Sequence, residues 1–232
     1  MLKRLVLFDI DGTLIWSAGA GRSAIARALV AEMGMTGPIE NYHFDGKTDP
    51  QIVMELLLAA GHPDAQSETH VQAVCRRYLE VLTHELQTRK GSIRAYPGVV
   101  ELLAALEQRR DVLVGLLTGN IAEGASQKLT AAGIEMSRFR VGAYGSDAAD
   151  RAELPPIAAA RAAPLMGRIP DGEEIIIIGD TPADMTCGTG VHARAIGVAT
   201  GRHSVVELLA AGAHVAFDSL LDTASVLDAI YS

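Results

Sequence analysis

Four apolar residues, Leu5-Val6-Leu7-Phe8, run straight into Asp9-Ile10-Asp11-Gly12-Thr13. A short unbroken apolar run predicts a parallel strand covered on both faces. In open sheets of that kind, ligands bind just beyond the carboxyl ends of the strands. Two carboxylates at that edge therefore predict a site. In extended chain, residues i and i+2 point the same way, so Asp9 and Asp11 are expected to crowd into one small space. Two anions that close repel each other, and one stays protonated unless a cation sits between them. A hard divalent ion with oxygen ligands resolves the conflict, and Mg²⁺ is the usual one.

The rest of the chain places this strand in a sheet. Apolar runs at residues 112–117 and 175–178, and weaker ones at 140–142, 193–198 and 214–216, read as further strands. Helical patterns fall between them, at 99–109, 122–132, 156–166, 205–211 and 220–230. Strands alternating with helices predict an α/β fold with a parallel sheet, here a Rossmann-like three-layer core. Residues from about 16 to 91 break the alternation. They carry helical patterns at 23–33, 50–60 and 66–87 and no convincing strand. A purely helical block of that length is too long for a simple crossover and reads as an insertion. Tyr96-Pro97-Gly98 marks the turn back into the core. The expected division is a discontinuous α/β core of residues 1–15 and 92–232, with an all-helical cap at 16–91.

Composition excludes several classes of function. The 232 residues are 49% hydrophobic and 21% charged, enough apolar surface for a real core. A net charge of −8 argues against a nucleic-acid groove, so any positive charge for an anionic substrate must be local. No segment approaches the ~18 apolar residues of a membrane span, and the apolar start is cut off by Asp9 and Asp11. Cys75 and Cys187 lie far apart and read as buried thiols, and the seven histidines show no close ligand spacing. A soluble cytoplasmic protein is expected.

Two further strands end in polar residues on the edge where Asp9 sits. In Leu117-Thr118-Gly119-Asn120, a hydroxyl, a residue that lets the backbone approach closely and the start of a helix suit an anionic oxygen. Taken alone, helix capping by Thr118 or Asn120 is the better explanation of the same residues. In Ile178-Gly179-Asp180-Thr181-Pro182-Ala183-Asp184, Pro182 suits the first turn of a helix, and Asp180 and Asp184 stand at the strand exit. Singly, they read as a loop residue and an acid complementing a helix dipole. Together with Asp9 and Asp11 they make four carboxylates at one edge with no compensating charge in view, and a metal accounts for them better.

Asp9 to Leu14, the Thr118 turn and Gly179 to Asp184 resemble the first, second and fourth motifs of the haloacid-dehalogenase-like hydrolase superfamily, and the helical block resembles its type 1 cap. Within the superfamily, the likeness is to the phosphoglycolate phosphatase and β-phosphoglucomutase branch. The resemblance implies that Asp9 attacks phosphorus and becomes an aspartyl phosphate, while Asp11 protonates the leaving oxygen and later activates water. It implies Mg²⁺ held by Asp9, the backbone carbonyl of Asp11 and Asp180, with Asp184 orienting a metal-bound water. Thr118, Gly119 and Asn120 would cradle the phosphate. The implied activity is a Mg²⁺-dependent phosphomonoesterase on a small phosphorylated metabolite, with phosphoglycolate the first candidate. A sugar-phosphate mutase using the same aspartyl phosphate is the alternative, followed by a weakly active interaction module; a haloacid dehalogenase would need neither Mg²⁺ nor Asp11.

The third motif, a lysine bridging phosphate and nucleophile, departs from the pattern. The lysines are Lys3, Lys47, Lys90 and Lys128. Lys128 stands ten residues past Thr118, about 15 Å along a helix axis, and is expected to lie too far away. Arg151, ahead of Pro155-Pro156 and a new helix, sits in the right stretch and is the expected replacement. Arginine binds phosphate through a planar fork, so the exchange is not conservative. In Asp45-Gly46-Lys47-Thr48-Asp49-Pro50, Asp49 reads as an N-cap. Lys47 faces the site in a type 1 cap and is a candidate substrate contact. Arg22, beyond the flexible Gly19-Ala20-Gly21 entry to the block, is a second candidate. Trp16 is expected at the hinge.

Overall fold

The computed structural model describes residues 2–232. Strands β1 (Arg4–Phe8) and β2 (Ile15–Trp16) lead into helices α1 (Ala20–Met33), α2 (Asp49–Ala59) and α3 (Glu68–Thr88). The chain returns through β3 (Arg94–Ala95) and α4 (Val99–Glu107). It continues as β4 (Val112–Thr118), α5 (Ala122–Ala131), β5 (Val141–Tyr144), α6 (Leu154–Met166), β6 (Ile175–Gly179), α7 (Pro182–Cys187), β7 (Arg194–Val198), α8 (Val205–Ala210), β8 (Val215–Phe217) and α9 (Thr223–Tyr231).

Six strands form one parallel sheet in the order β5-β4-β1-β6-β7-β8, so β1 lies between β4 and β6. Period-two alternation then sorts its side chains. Val6 and Phe8 face Val114, Leu116, Ile176 and Ile178 under α4 and α9. Leu5 and Leu7 face Leu113, Leu117, Ile175 and Ile177 under α6. Both faces are covered, which is why these strands read as continuous apolar runs. Each such side chain, buried fully, contributes about 1.5–3 kcal/mol. The predicted three-layer core is present.

The helical insertion has its own apolar centre, where Ile25, Leu29, Ile52, Leu56, Val74, Tyr78 and Leu82 pack together. Its two ends pass through an antiparallel ribbon in which Ile15 pairs with Ala95 and Trp16 with Arg94. The ribbon is absent from the sequence reading because two residues carry no periodicity. Trp16 is half exposed on it. Among the described residues, no helix is long and apolar enough to cross a membrane. Cys187 is buried and Cys75 half-buried, both as free thiols pushed up to about 12 by burial.

Candidate active site

The adjacent ends of β1, β4 and β6 form the floor of a cavity of about 400 Å³, roofed by the helical insertion. Its lining includes Asp9, Asp11, Thr118, Gly119, Asn120, Arg151 and Asp180 from the sheet edge, and Arg22, Lys47 and Asp49 from the insertion. Asp9 follows β1 directly, its amide donating to the Ile178 carbonyl at 2.9 Å. The chain then turns sharply at Gly12, whose φ of +90° is left-handed. A Cβ there would lie 2.3 Å from an Asp180 carboxylate oxygen. Gly12 is thus required both by the turn and by the closeness of the second acid.

Asp180 leaves β6 and accepts a 3.0 Å hydrogen bond from the Thr13 hydroxyl. Thr181 and Asp184 cap α7 reciprocally: Asp184 accepts from the Thr181 amide at 3.0 Å and its hydroxyl at 2.6 Å, and the Asp184 amide donates back. Asp184 is therefore both the helix-capping acid and a member of the cluster. One carboxylate oxygen from each of Asp9, Asp180 and Asp184 lies within 4.8 Å of the others, all three residues buried.

The expectation that these acids lack compensating charge is overturned, because two buried cations accompany them. Arg151 places a guanidinium nitrogen 3.1 Å from Asp9 and also pairs with Asp184. Lys128 places Nζ 2.6 Å from Asp11 Oδ2 and 2.5 Å from Asn120 Oδ1. The expectation that Lys128 lies too far away is wrong for a physical reason. Residues 118–121 are not helical, so the axial distance begins at Ala122, and helical side chains slope back toward the N-terminus. Lys128, 4% exposed, reaches up that slope into the site. Two cations against the four acids still leave net negative charge.

The protonation equilibria register this. Burial, offset by Arg151 and reinforced by Asp184 and Asp11, pushes Asp9 up to about 6. Burial, then Asp184 and Asp9, raise Asp180 well above the carboxylate range. Burial acts the same way on Asp11, but the Lys128 ammonium and hydrogen bonds from Lys128, Ser17 and Asn120 outweigh it and hold that carboxyl low. Asp9 and Asp180 are thus the groups that gain most from an added cation, and their hard oxygens suit Mg²⁺. Both Asp184 oxygens are already engaged, one by Arg151 and one by Thr181. The Asp11 side chain turns toward Ser17, Asn120 and Lys128, outside the three-acid cluster.

At the β4 edge, Asn120 donates through Nδ2 to Asp11 Oδ2 at 3.0 Å and to the Thr118 hydroxyl at 2.8 Å. Gly119 permits close docking of the insertion, because a Cβ there would sit 2.1 Å from the Lys47 carbonyl oxygen. Lys47 itself pairs with Glu55 at 2.6 Å and the Tyr42 hydroxyl at 2.9 Å. Arg22 donates to the carbonyls of Ile39 and Tyr42 and lies over the Phe44 ring at 4.2 Å. Both line the cavity, but their donors are largely occupied within the insertion.

Asp49 corrects a second expectation. Thr48 is the N-cap of α2, accepting from the Gln51 amide, whereas Asp49 accepts from the Ile121 amide at 2.9 Å at the start of α5. The sequence reading also passed over Ser17, Thr200 and Arg202. Thr200 donates to the Gly12 carbonyl, and Arg202 reaches across to Asp45 at 3.1 Å and His43 at 2.7 Å. For Lys128, the readable sign was a lone lysine in an otherwise uncharged second half of α5.

The architecture has many relatives. A hydrolase from Pseudomonas syringae superposes with a TM-score of 0.74 at 24% identity, over 99% of this chain and all of that one. CbbY from Rhodobacter sphaeroides, solved in complex with phosphate, superposes with a TM-score of 0.70 at 18% identity over 96% of both chains. The probable phosphatase IndB of Dickeya dadantii is 28% identical over 231 residues, 99% of this chain and 95% of its own length. Residues 3–191 match the family model of the haloacid dehalogenase-like hydrolases, and the chain belongs to that family.

Proposed function

We propose that the protein is a Mg²⁺-dependent phosphomonoesterase that cleaves a small phosphorylated cytoplasmic metabolite through an aspartyl phosphate on Asp9. The observation that carries this reading is the convergence of Asp9, Asp180 and Asp184 within 4.8 Å, with Arg151 on Asp9. Asp9, the Asp11 carbonyl and Asp180 would hold the ion, with Asp184 behind them. Bound there, Mg²⁺ supplies charge neutralisation that lets one anion attack another.

Asp9 attacks phosphorus, and the leaving oxygen departs with a proton from Asp11. Water then attacks the phosphoryl group, gives its proton to Asp11 and restores Asp9. Splitting hydrolysis this way divides one difficult displacement between two easier ones. Thr118 and the Asn120 amide donate to equatorial phosphate oxygens, and Arg151 takes the role of the third-motif lysine. Residues 16–91 act as a cap over a core of 1–15 and 92–232, excluding bulk water when closed. The cavity walls of Trp16, Ile25, Phe44 and Tyr96 favour a small leaving group.

Asp9→Asn should lower Mg²⁺-dependent p-nitrophenyl phosphate hydrolysis at least about a thousandfold, since an amide cannot form the intermediate. Turnover that survives this change, or that persists in chelator, would overturn the reading. A panel of phosphorylated metabolites including phosphoglycolate and hexose phosphates identifies the substrate. Conversion of one hexose phosphate to its isomer would instead mark a mutase.

A further inference from the structure

We propose that Lys128 is a positioning residue: backed by Asp49 from the insertion, its ammonium holds the Asp11 carboxylate where the water that cleaves the aspartyl phosphate gives up its proton. The inference rests on the phosphatase reading above and assigns a task within it. Three donors hold the Asp11 carboxylate. Ser17 donates to Oδ1 at 2.7 Å, while Lys128 at 2.6 Å and Asn120 at 3.0 Å both donate to Oδ2. Lys128 also fixes Asn120 through Oδ1, so the donor set around Asp11 is itself cross-linked.

The two buried cations divide the site. Arg151 serves Asp9 and Asp184, and Lys128 serves Asp11. A lysine kept only to pack α5 would not need its charge on the cavity floor, where burial of an ammonium is costly. Asp49 lines the same cavity from the insertion above. Its amide donates to the Gly119 carbonyl at 2.7 Å and its carboxylate accepts from the Ile121 amide, so it occupies this place only while the insertion is docked. Gly21, whose added Cβ would meet Nζ at 3.0 Å, leaves room for the ammonium. Docking therefore sets Asp49 into the cavity that holds Lys128 and Asp11.

The step that depends on this is the second displacement. Water oxygen bonds to phosphorus, the bond from phosphorus to the Asp9 oxygen breaks with its electron pair returning to the carboxylate, and one water proton passes to Asp11. With p-nitrophenyl phosphate the first step needs little help, because the phenolate leaves unprotonated. Loss of Lys128 should therefore slow release of the phosphoryl group far more than its capture.

Rapid-mixing measurements of p-nitrophenolate release test this in wild type, Lys128→Met, Asp49→Asn and Asp9→Asn. For Lys128→Met the expected result is a burst near one equivalent per site and a steady rate lowered about a hundredfold, within the range of general-base effects. Intact mass after acid quench should show one added phosphoryl group. Asp49→Asn preserves shape and an acceptor for Ile121, and should show the same pattern at about tenfold. Equal slowing of both phases, or loss of active fraction with their ratio unchanged, would overturn the inference while leaving the phosphatase intact. Should Lys128→Met not fold, the absence of any change in that ratio for Asp49→Asn overturns it alone. Wild type without Mg²⁺-dependent turnover, or an unaffected Asp9→Asn, would remove the phosphatase reading and this inference with it.

Discussion

Gly12 shows how closely single positions constrain the site. Its left-handed φ costs an L-residue about 1–2 kcal/mol, and a Cβ would collide with Asp180. Gly12→Ala should lower stability by about 2 kcal/mol or more in denaturant titration and weaken Mg²⁺ binding measured by calorimetry. Arg151→Ala should raise KM and lower kcat, and Arg151→Lys should recover part of the loss; indifference to both would remove Arg151 from the site. Single positions were also where the sequence was both most and least legible. Asp9, Asp11 and Asp180 lie within three residues of a strand end, and Asp184 in the first turn of the helix that follows β6, so local sequence places all four at one edge. Arg151 was legible because it lies in the loop between β5 and α6. Lys128 and Asp49 were not, because their partners belong to other elements, 117 residues away for Asp11 and 72 for Ile121.

The elements themselves follow local rules. Each predicted strand of the sheet occurs within two residues of its expected ends, and each predicted helix within three, because the apolar patterns that define them are the surfaces they bury. Cutting such a surface should register directly. Ile177→Ala, in the middle of β6 and packed under α6, should cost about 2–5 kcal/mol in urea unfolding. Between β5 and α6, Arg161 grips Asp147 with two hydrogen bonds of 2.6 and 2.7 Å, and the Tyr144 amide adds a third at 2.9 Å. The Arg161 hydrogen bonds, against modest burial, hold the Asp147 carboxyl below its ordinary value of 3.8. A depressed carboxylate stabilises the fold above that ordinary value and loses its contribution as pH falls through the lower, folded one. Wild type should thus exceed Asp147→Asn by less than about 1 kcal/mol at neutral pH, since the Arg161 end of the pair is half exposed to screening solvent. That margin should vanish only in strong acid.

Across the molecule, the insertion meets the core through the packing of its apolar centre on Ile121 and α5 and through a few polar contacts. The Thr48 hydroxyl donates to the Ala149 carbonyl at 2.7 Å, the Asp49 amide to Gly119, and exposed Arg202 spans to Asp45 and His43. None of these was legible in sequence, because each joins segments that only the assembled fold brings together. Arg202→Ala should raise KM by no more than about fivefold, with kcat little changed and the difference fading at high salt. The β2–β3 ribbon has a consequence of a different kind. Ile15 and Ala95 are paired, so the chain departs and re-enters through one doorway. Everything beyond that doorway can be exchanged for a tight hairpin turn, or for a foreign module of any length, without re-threading the sheet. The ribbon thus lets the roof vary in length and composition while the floor stays threaded as it is.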